Sequence, residues 1–261
     1  NVKHAYSSTL QSQTARYRVV GTPTWKYQNW SKDTNHLILC GLTPNSQYEV
    51  QTRATWNIFK SDWQDPENNL TFTTQAATPK TDRDADGIPD SAEACGPNEG
   101  DANNDQSYDR EQASVGSFVN QITGKQVALS STCSTVNGAS ISTEQSDKND
   151  IAFDYPAGLL DFKLSGCGSQ VEVTQYYFGS FNPSALTLRK LNPTSGTYTT
   201  ISGAQLSNVI IGGQAAVKVV YSITDNGPLD LDPTVGSIHD PVGLALNTVN
   251  VPNTGLHYDL K

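Results

Sequence analysis

The segment TDRDADGIPDSAEA, residues 81–94, sets five carboxylates (Asp82, Asp84, Asp86, Asp90 and Glu93) within twelve positions. Like charges this close repel one another and, in water, hold a chain open. Ten acidic residues against Arg83 and Arg110 give residues 82–112 a local net charge of −8, compared with −9 for the whole chain. Large apolar side chains are scarce there, Ile88 and Tyr108 being the main ones. Burial alone therefore does not offset the ordering entropy of the segment. Any fold that orders it needs a counter-charge.

The spacing names one. Asp82-x-Asp84-x-Asp86-Gly87-Ile88-x-Asp90-x-x-Glu93 places side-chain oxygens at positions 1, 3, 5, 9 and 12 of a twelve-residue loop. Gly87 falls at position 6, where the chain turns sharply, and Ile88 at position 7 offers a backbone carbonyl. This is the ligand order of an EF-hand-type Ca²⁺ loop, with Glu93 placed to bind through both oxygens. Hard oxygen donors in a flexible loop suit Ca²⁺ better than Mg²⁺, which demands a tighter octahedron. A second run, Asp101-x-Asn103-x-Asp105-x-Ser107-x-Asp109-x-x-Gln112, repeats the order with substitutions. Gln106 stands where the turn glycine belongs and Gln112 where the glutamate does, so this loop is expected to bind more weakly.

On either side of the acids the chain reads as strands. Between residues 13 and 74, ARYRVV, HLILCGL, YEVQTRATW and LTFTT alternate with a period of two. Within YEVQTRA, Tyr48, Val50 and Thr52 are expected on one face and Glu49, Gln51 and Arg53 on the other. After residue 113 the pattern resumes in KQVALSST, GLLDFKLSG, QVEVTQYYF, ALTLRKL, NVIIGG and AAVKVVYSI, with a short helix expected near YDREQASVGSF. All four tryptophans precede residue 64, so the two halves build different cores. The expected fold is all-β: two antiparallel sandwich-like domains joined by a calcium-binding segment.

Of the four cysteines, Cys133 and Cys167 are the preferred pair, which leaves Cys40 and Cys95 as candidate free thiols. No CxxC spacing points to zinc. The negative charge argues against nucleic acid as a partner. No apolar run reaches the ~18–20 residues needed to span a bilayer. The chain contains no Met and reads as a processed product whose targeting signals lie outside it.

LCGLTPNSQYEVQTRAT, followed by SDW and LTFTT, resembles the second half of a bacterial fibronectin type III domain over residues 15–74. That resemblance puts Leu39 and Leu42 in the core and Tyr48 at the tyrosine corner. NVKHAYSSTLQS lacks the Trp usual on the second strand, so the first strands are expected to be degenerate or missing. The two acidic loops, 82–112, resemble thrombospondin type 3 calcium repeats. YPAGLLDFKLSGCG, VTQYYFG, YSITDNGPLDLD and IHDPVGLAL, within 96–246, resemble the bacterial choice-of-anchor U domain, whose members precede wall or membrane anchors. VPNTG at 251–255 is similar to a sortase pentapeptide. The implied division is 1–76, 77–112, 113–249 and a tail at 250–261.

Together these imply a non-enzymatic protein of the bacterial cell surface, structural or adhesive, with a calcium-stiffened connector. Its partner would be a surface protein or glycan, and membrane or wall attachment would come only through sequence outside this chain. Two alternatives come from other classes. One is a polysaccharide-binding part of a secreted enzyme, using Trp25, Tyr27 and Trp30 as a stacking platform. The other is a fibre subunit that self-associates by strand addition. Asp225, Asp230, Asp232 and Asp240 are candidates for a third calcium site, against the plainer reading of a loop between strands.

Overall fold

A computed structural model describes residues 10–31, 38–56, 59–64, 70–75, 81–145 and 147–248. The chain is mostly β, with 49% of its residues in strands and 6% in helix, arranged in three antiparallel sheets. It divides into two compact units, Asn1–Pro79 and Lys80–Lys261. The expectations for the first nine residues and for VPNTG lie outside the described residues.

In the first unit, β1 (Leu10–Val19), β2 (Lys26–Ser31), β3 (Gln47–Trp56), β4 (Phe59–Lys60) and β5 (Leu70–Thr73) form one sheet. Its order is β2-β1-β3-β4, with β5 also on β3. One face carries Ala15, Tyr17, Tyr48 and Val50, against which Leu39, Leu42 and Phe72 pack. The Tyr48 hydroxyl accepts the Thr43 N–H at 2.9 Å. HLILCGL is not a strand where it is described, at 38–42. Its carbonyls are satisfied by side chains instead of a ladder: Gln28 donates to Ile38 O and Tyr17 to Cys40 O.

The other face of β3 is also covered, contrary to simple alternation: Glu49 and Gln51 are buried alongside Tyr48 and Val50. Arg18 pairs with Glu49 and Arg16 with Gln51. These two guanidinium groups and that of Arg53 lie over tryptophan rings, Arg16 over both Trp25 and Trp63, Arg18 over Trp25 and Arg53 over Trp63. A cation–π ladder thus shields the polar face from water.

The second unit is a sandwich. β6 (Val115–Val119), β7 (Gln126–Ser131), β11 (Gln170–Phe178), β14 (Gln205–Ile211) and β15 (Gln214–Thr224) form one sheet, in the order β14-β15-β11-β7-β6. β8 (Thr135–Ser142), β9 (Phe153–Asp154), β10 (Leu159–Ser165), β12 (Leu186–Asn192), β13 (Thr197–Thr200) and β16 (Ser237–Asn247) form the other, in the order β13-β12-β16-β10-β8, with β9 on β16. Leu129, Val173, Val217 and Ile223 from the first sheet meet Leu160, Phe162, Leu188 and Leu244 from the second in one core. The helix expected near YDREQASVGSF is only a 3₁₀ turn, Asp109–Glu111, and VGSF enters β6. Val115 and Gly116 are buried there and their backbone pairs with β7, so tertiary burial overrides local helical preference.

Cys133 and Cys167 are bonded across 34 residues, tying the β7–β8 turn to the β10–β11 turn. Closing a loop of that length contributes about 3–4 kcal/mol in the chain-entropy account. Cys40 and Cys95 are disulfide-bonded too, so neither is a free thiol. Two disulfides fit an oxidising compartment. Among the described residues no helix is long and apolar enough to cross a membrane.

Candidate metal centre

Residues 81–112 do not stand apart as a connector. They belong to the second unit and dock on its first sheet. Ala102 joins Ala128, Tyr176, Phe178, Ile211 and Ala216 in a small apolar cluster. Gly138 on β8 donates its N–H to Asp86 O at 2.7 Å, and Gln126 on β7 donates to Cys95 O at 3.1 Å. A short helix, α1 (Asp90–Glu93), closes the first loop. Gly87, with φ of 87°, makes the sharp turn that its position in the loop requires.

The turn gathers carboxylates. Asp82, Asp84 and Asp86 place ligand oxygens within 4.8 Å of one another. Glu93, fully buried at the end of α1, lies near enough for the charges of Asp86 and Asp84 to act on it. Six of these oxygens are buried without a hydrogen-bond partner: Asp82 Oδ1, both of Asp84, Asp86 Oδ2 and both of Glu93. An unpaired buried acceptor costs about 1–3 kcal/mol, more when charged. Burial, reinforced by repulsion from Asp86, Asp84, Asp109 and Asp90, pushes Glu93 up to about 9. Burial and the charges of Asp84, Asp82 and Asp109 push Asp86 to about 7, and burial with the adjacent Asp82 raises Asp84. An all-oxygen, unsatisfied, mutually repelling set is the donor chemistry that a hard divalent cation fits.

Asp90, expected at position 9, is engaged elsewhere. The Arg83 N–H donates to its Oδ1 at 2.9 Å and the Arg83 guanidinium to its Oδ2 at 2.7 Å. Burial opposes its charge, but these two bonds outweigh burial and hold its pKa below the ordinary carboxylate range. Asp90 therefore braces the loop rather than leaving oxygens free. Ile88 buries its side chain against the sheet and donates its N–H to Asp86 Oδ1.

The second loop is internally satisfied. Asp101 accepts the N–H groups of Asp105 and Gln106, Asn103 accepts from Asp105, and Asp105 accepts from Ser107 N–H and Gln112 Nε2. Asp109 is buried and accepts Ala102 N–H and Ser117 Oγ. Burial, with the charges of Asp101 and Asp105, still lifts Asp109 to about 6. Gln106 takes the left-handed backbone, φ 76°, that glycine would adopt without strain. Among the described residues, Asp82, Asp84 and Asp86 form the one group of three or more ligand-bearing side chains drawn this close.

The structure does not assemble Asp225, Asp230, Asp232 and Asp240 into a third site. Asp240 is buried in the sandwich core against Lys190 and Tyr221. Asp225, Asp230 and Asp232 cap backbone N–H groups of Gly236, Asn226 and Thr234. Of the proposed sugar platform, Tyr27 is 60% exposed and packs on Trp63, but Trp25 and Trp63 already carry guanidinium groups on their rings. The Trp30 side chain lies outside the described residues.

Nothing local in the acidic segment points to its seat. Gly116 on β6 matters because a Cβ there would lie 2.5 Å from Ile88 Cδ1 and 2.7 Å from Asp86 Oδ2. Gly116→Ala is expected to displace Asp86 and weaken calcium binding at least tenfold, about 1.4 kcal/mol, measured by calorimetric titration. Binding at wild-type strength would show that the docked position of the loop is irrelevant to the site.

No family model, curated protein or solved structure matches this chain.

Proposed function

We propose that the chain is a non-enzymatic structural or adhesive protein of the bacterial exterior whose acidic segment holds calcium through Asp82, Asp84, Asp86 and Glu93. One observation carries the reading: ligand oxygens of Asp82, Asp84 and Asp86 lie within 4.8 Å of one another, and buried oxygens of these residues and of nearby Glu93 have no hydrogen-bond partner. Bound there, calcium supplies the positive charge and oxygen coordination that the side chains lack. Asp82, Asp84 and Asp86 hold the turn around Gly87, while Glu93 fastens α1 to it. Arg83 keeps Asp90 out of the cluster and thereby limits its charge. Once their repulsion is relieved, residues 81–93 keep their seat on β6 and β8. The disulfides and all-β architecture support an extracellular setting. So do the resemblances to fibronectin type III, thrombospondin type 3 and choice-of-anchor U sequences. The partner class consistent with this role is a protein or glycan of a neighbouring surface.

Calorimetric titration of metal-stripped protein is the direct test. Saturable binding of at least one Ca²⁺ is expected, with Kd in or below the 10⁻⁴–10⁻³ M range of extracellular modules. At a hundredfold excess over Kd the folded state gains about 2.7 kcal/mol. No heat of binding, together with a melting temperature indifferent to calcium and chelator, would end the proposal.

A further inference from the structure

Apart from the acidic segment, the sandwich core encloses a second ionisable constellation. Lys190 on β12 is 4% exposed and Asp240 on β16 is fully buried. The two strands are antiparallel neighbours with Lys190 opposite Val242, so Asp240, two residues away, shares its face. Lys190 Nζ contacts Asp240 Oδ1. From the facing sheet, Tyr221 Oη donates to Asp240 Oδ2 at 2.8 Å. Gln175 Nε2 donates to Tyr221 Oη at 3.2 Å, and Tyr177 Oη donates to Gln175 Oε1 at 2.9 Å. The direction of this chain is determined: because Gln175 fills an acceptor position on Tyr221, the phenolic proton points at Asp240.

Taking an ammonium and a carboxylate out of water costs several kcal/mol per ion, and one contact with good geometry does not always repay it. A neutral amide in the same place removes both charges. We infer that Lys190 Nζ and Asp240 Cγ condense into an intramolecular isopeptide bond that cross-links β12 to β16. Proton transfer from the ammonium to Oδ1 leaves a neutral amine and a carboxylic acid, and the amine lone pair then attacks Cγ. The oxyanion formed on Oδ2 is held by the Tyr221 hydroxyl, a preorganised donor in a dry site. A second proton from Nζ passes to the departing Oδ1 hydroxyl, the C–O bond breaks and water leaves. One C–N bond forms, one C–O bond is lost, and nothing is oxidised or reduced. Burial raises the Asp240 pKa despite the opposing Lys190 charge and Tyr221 bond, which favours the protonated carboxyl that the step requires. Gln175 and Tyr177 are positioning residues, acting through Tyr221.

Intact mass spectrometry of the full chain, denatured and with both disulfides reduced, reads the bond directly. The wild type is expected at the sequence mass less one water, with a peptide map showing Lys190 and Asp240 in one branched fragment. Lys190→Met is expected at its full sequence mass. Tyr221→Phe is expected to cross-link about a hundredfold more slowly after refolding, as for loss of one oxyanion donor. A wild-type mass equal to the full sequence overturns the inference without recourse to any variant. A water loss that persists in Lys190→Met overturns it as well, and an unchanged rate in Tyr221→Phe overturns the part given to the hydroxyl.

Discussion

Glu93→Gln is expected to abolish the calcium-dependent gain in melting temperature while leaving the chelated protein as stable as the wild type at pH 7. Both halves follow from the burial of Glu93. Its oxygens are enclosed without donors, and burial with the surrounding charges lifts its pKa to about 9. At pH 7 in chelator the side chain therefore carries a proton, and the neutral amide of Gln replaces it with little change in shape or charge. Calcium binding requires that proton to leave, and Gln offers one neutral carbonyl oxygen in place of two that share a negative charge. We expect Kd to rise at least a hundredfold, about 2.7 kcal/mol. The calcium-induced shift should fall by roughly 5–11 °C under conditions that give the wild type that gain. Asn103→Ala, in the internally bonded second loop, should change the shift far less. Differential scanning calorimetry in calcium and in chelator checks all three proteins. A Glu93→Gln protein with the full wild-type calcium shift would remove Glu93 from the site.

The metal-free protein should also lose stability as pH rises, which is unusual for an acidic protein. A carboxyl whose folded pKa exceeds its unfolded value binds more protons in the folded state across that interval. The slope of unfolding free energy with pH is then negative. Asp109, Asp86 and Glu93 are raised to about 6, 7 and 9 from ordinary values of 3.8, 3.8 and 4.5. Their contribution is thus present in full below about pH 4 and is lost progressively as pH climbs toward 9. Each pK unit corresponds to about 1.4 kcal/mol, but the three groups titrate as a coupled set. A loss of about 3 kcal/mol between pH 5 and pH 9, roughly 6–12 °C, is the scale expected in chelator. Saturating calcium should flatten or invert the profile, because the protons are displaced on binding. Repeating the calcium titration in buffers of different ionisation enthalpy should reveal about one to two protons released per ion at pH 7. A chelated protein that gains stability from pH 5 to pH 9 would show that these carboxyls are not enclosed as described.

Much of this protein was legible in the order of its residues. Strands with period-two alternation, such as QVEVTQYYF and AAVKVVYSI, appear at their expected places, because one face of each meets a continuous apolar core. HLILCGL misled because Leu39 and Leu42 need only touch the core, and side chains of Gln28 and Tyr17 satisfy the backbone that a ladder would otherwise serve. VGSF, within the expected helix, is a strand because β7 offers it partners. That Asp82, Asp84 and Asp86 come close together could be read from spacing, because a short loop around one turn glycine is a local object.

Side-chain loyalties were not legible in the same way. Asp90 has the right position number yet answers to Arg83, and Asp240 leaves its acidic neighbours for Lys190 and Tyr221 across the core. Spacing along the chain determined which oxygens lie near one another, since twelve residues and a glycine can close only a small loop. Which of them remain unpaired, and which surface receives the loop, were decided by tertiary packing. Gly116, Ser117 and Gly138 arrive from distant strands, and hydrogen bonding and close contact depend on distance in space rather than position in sequence.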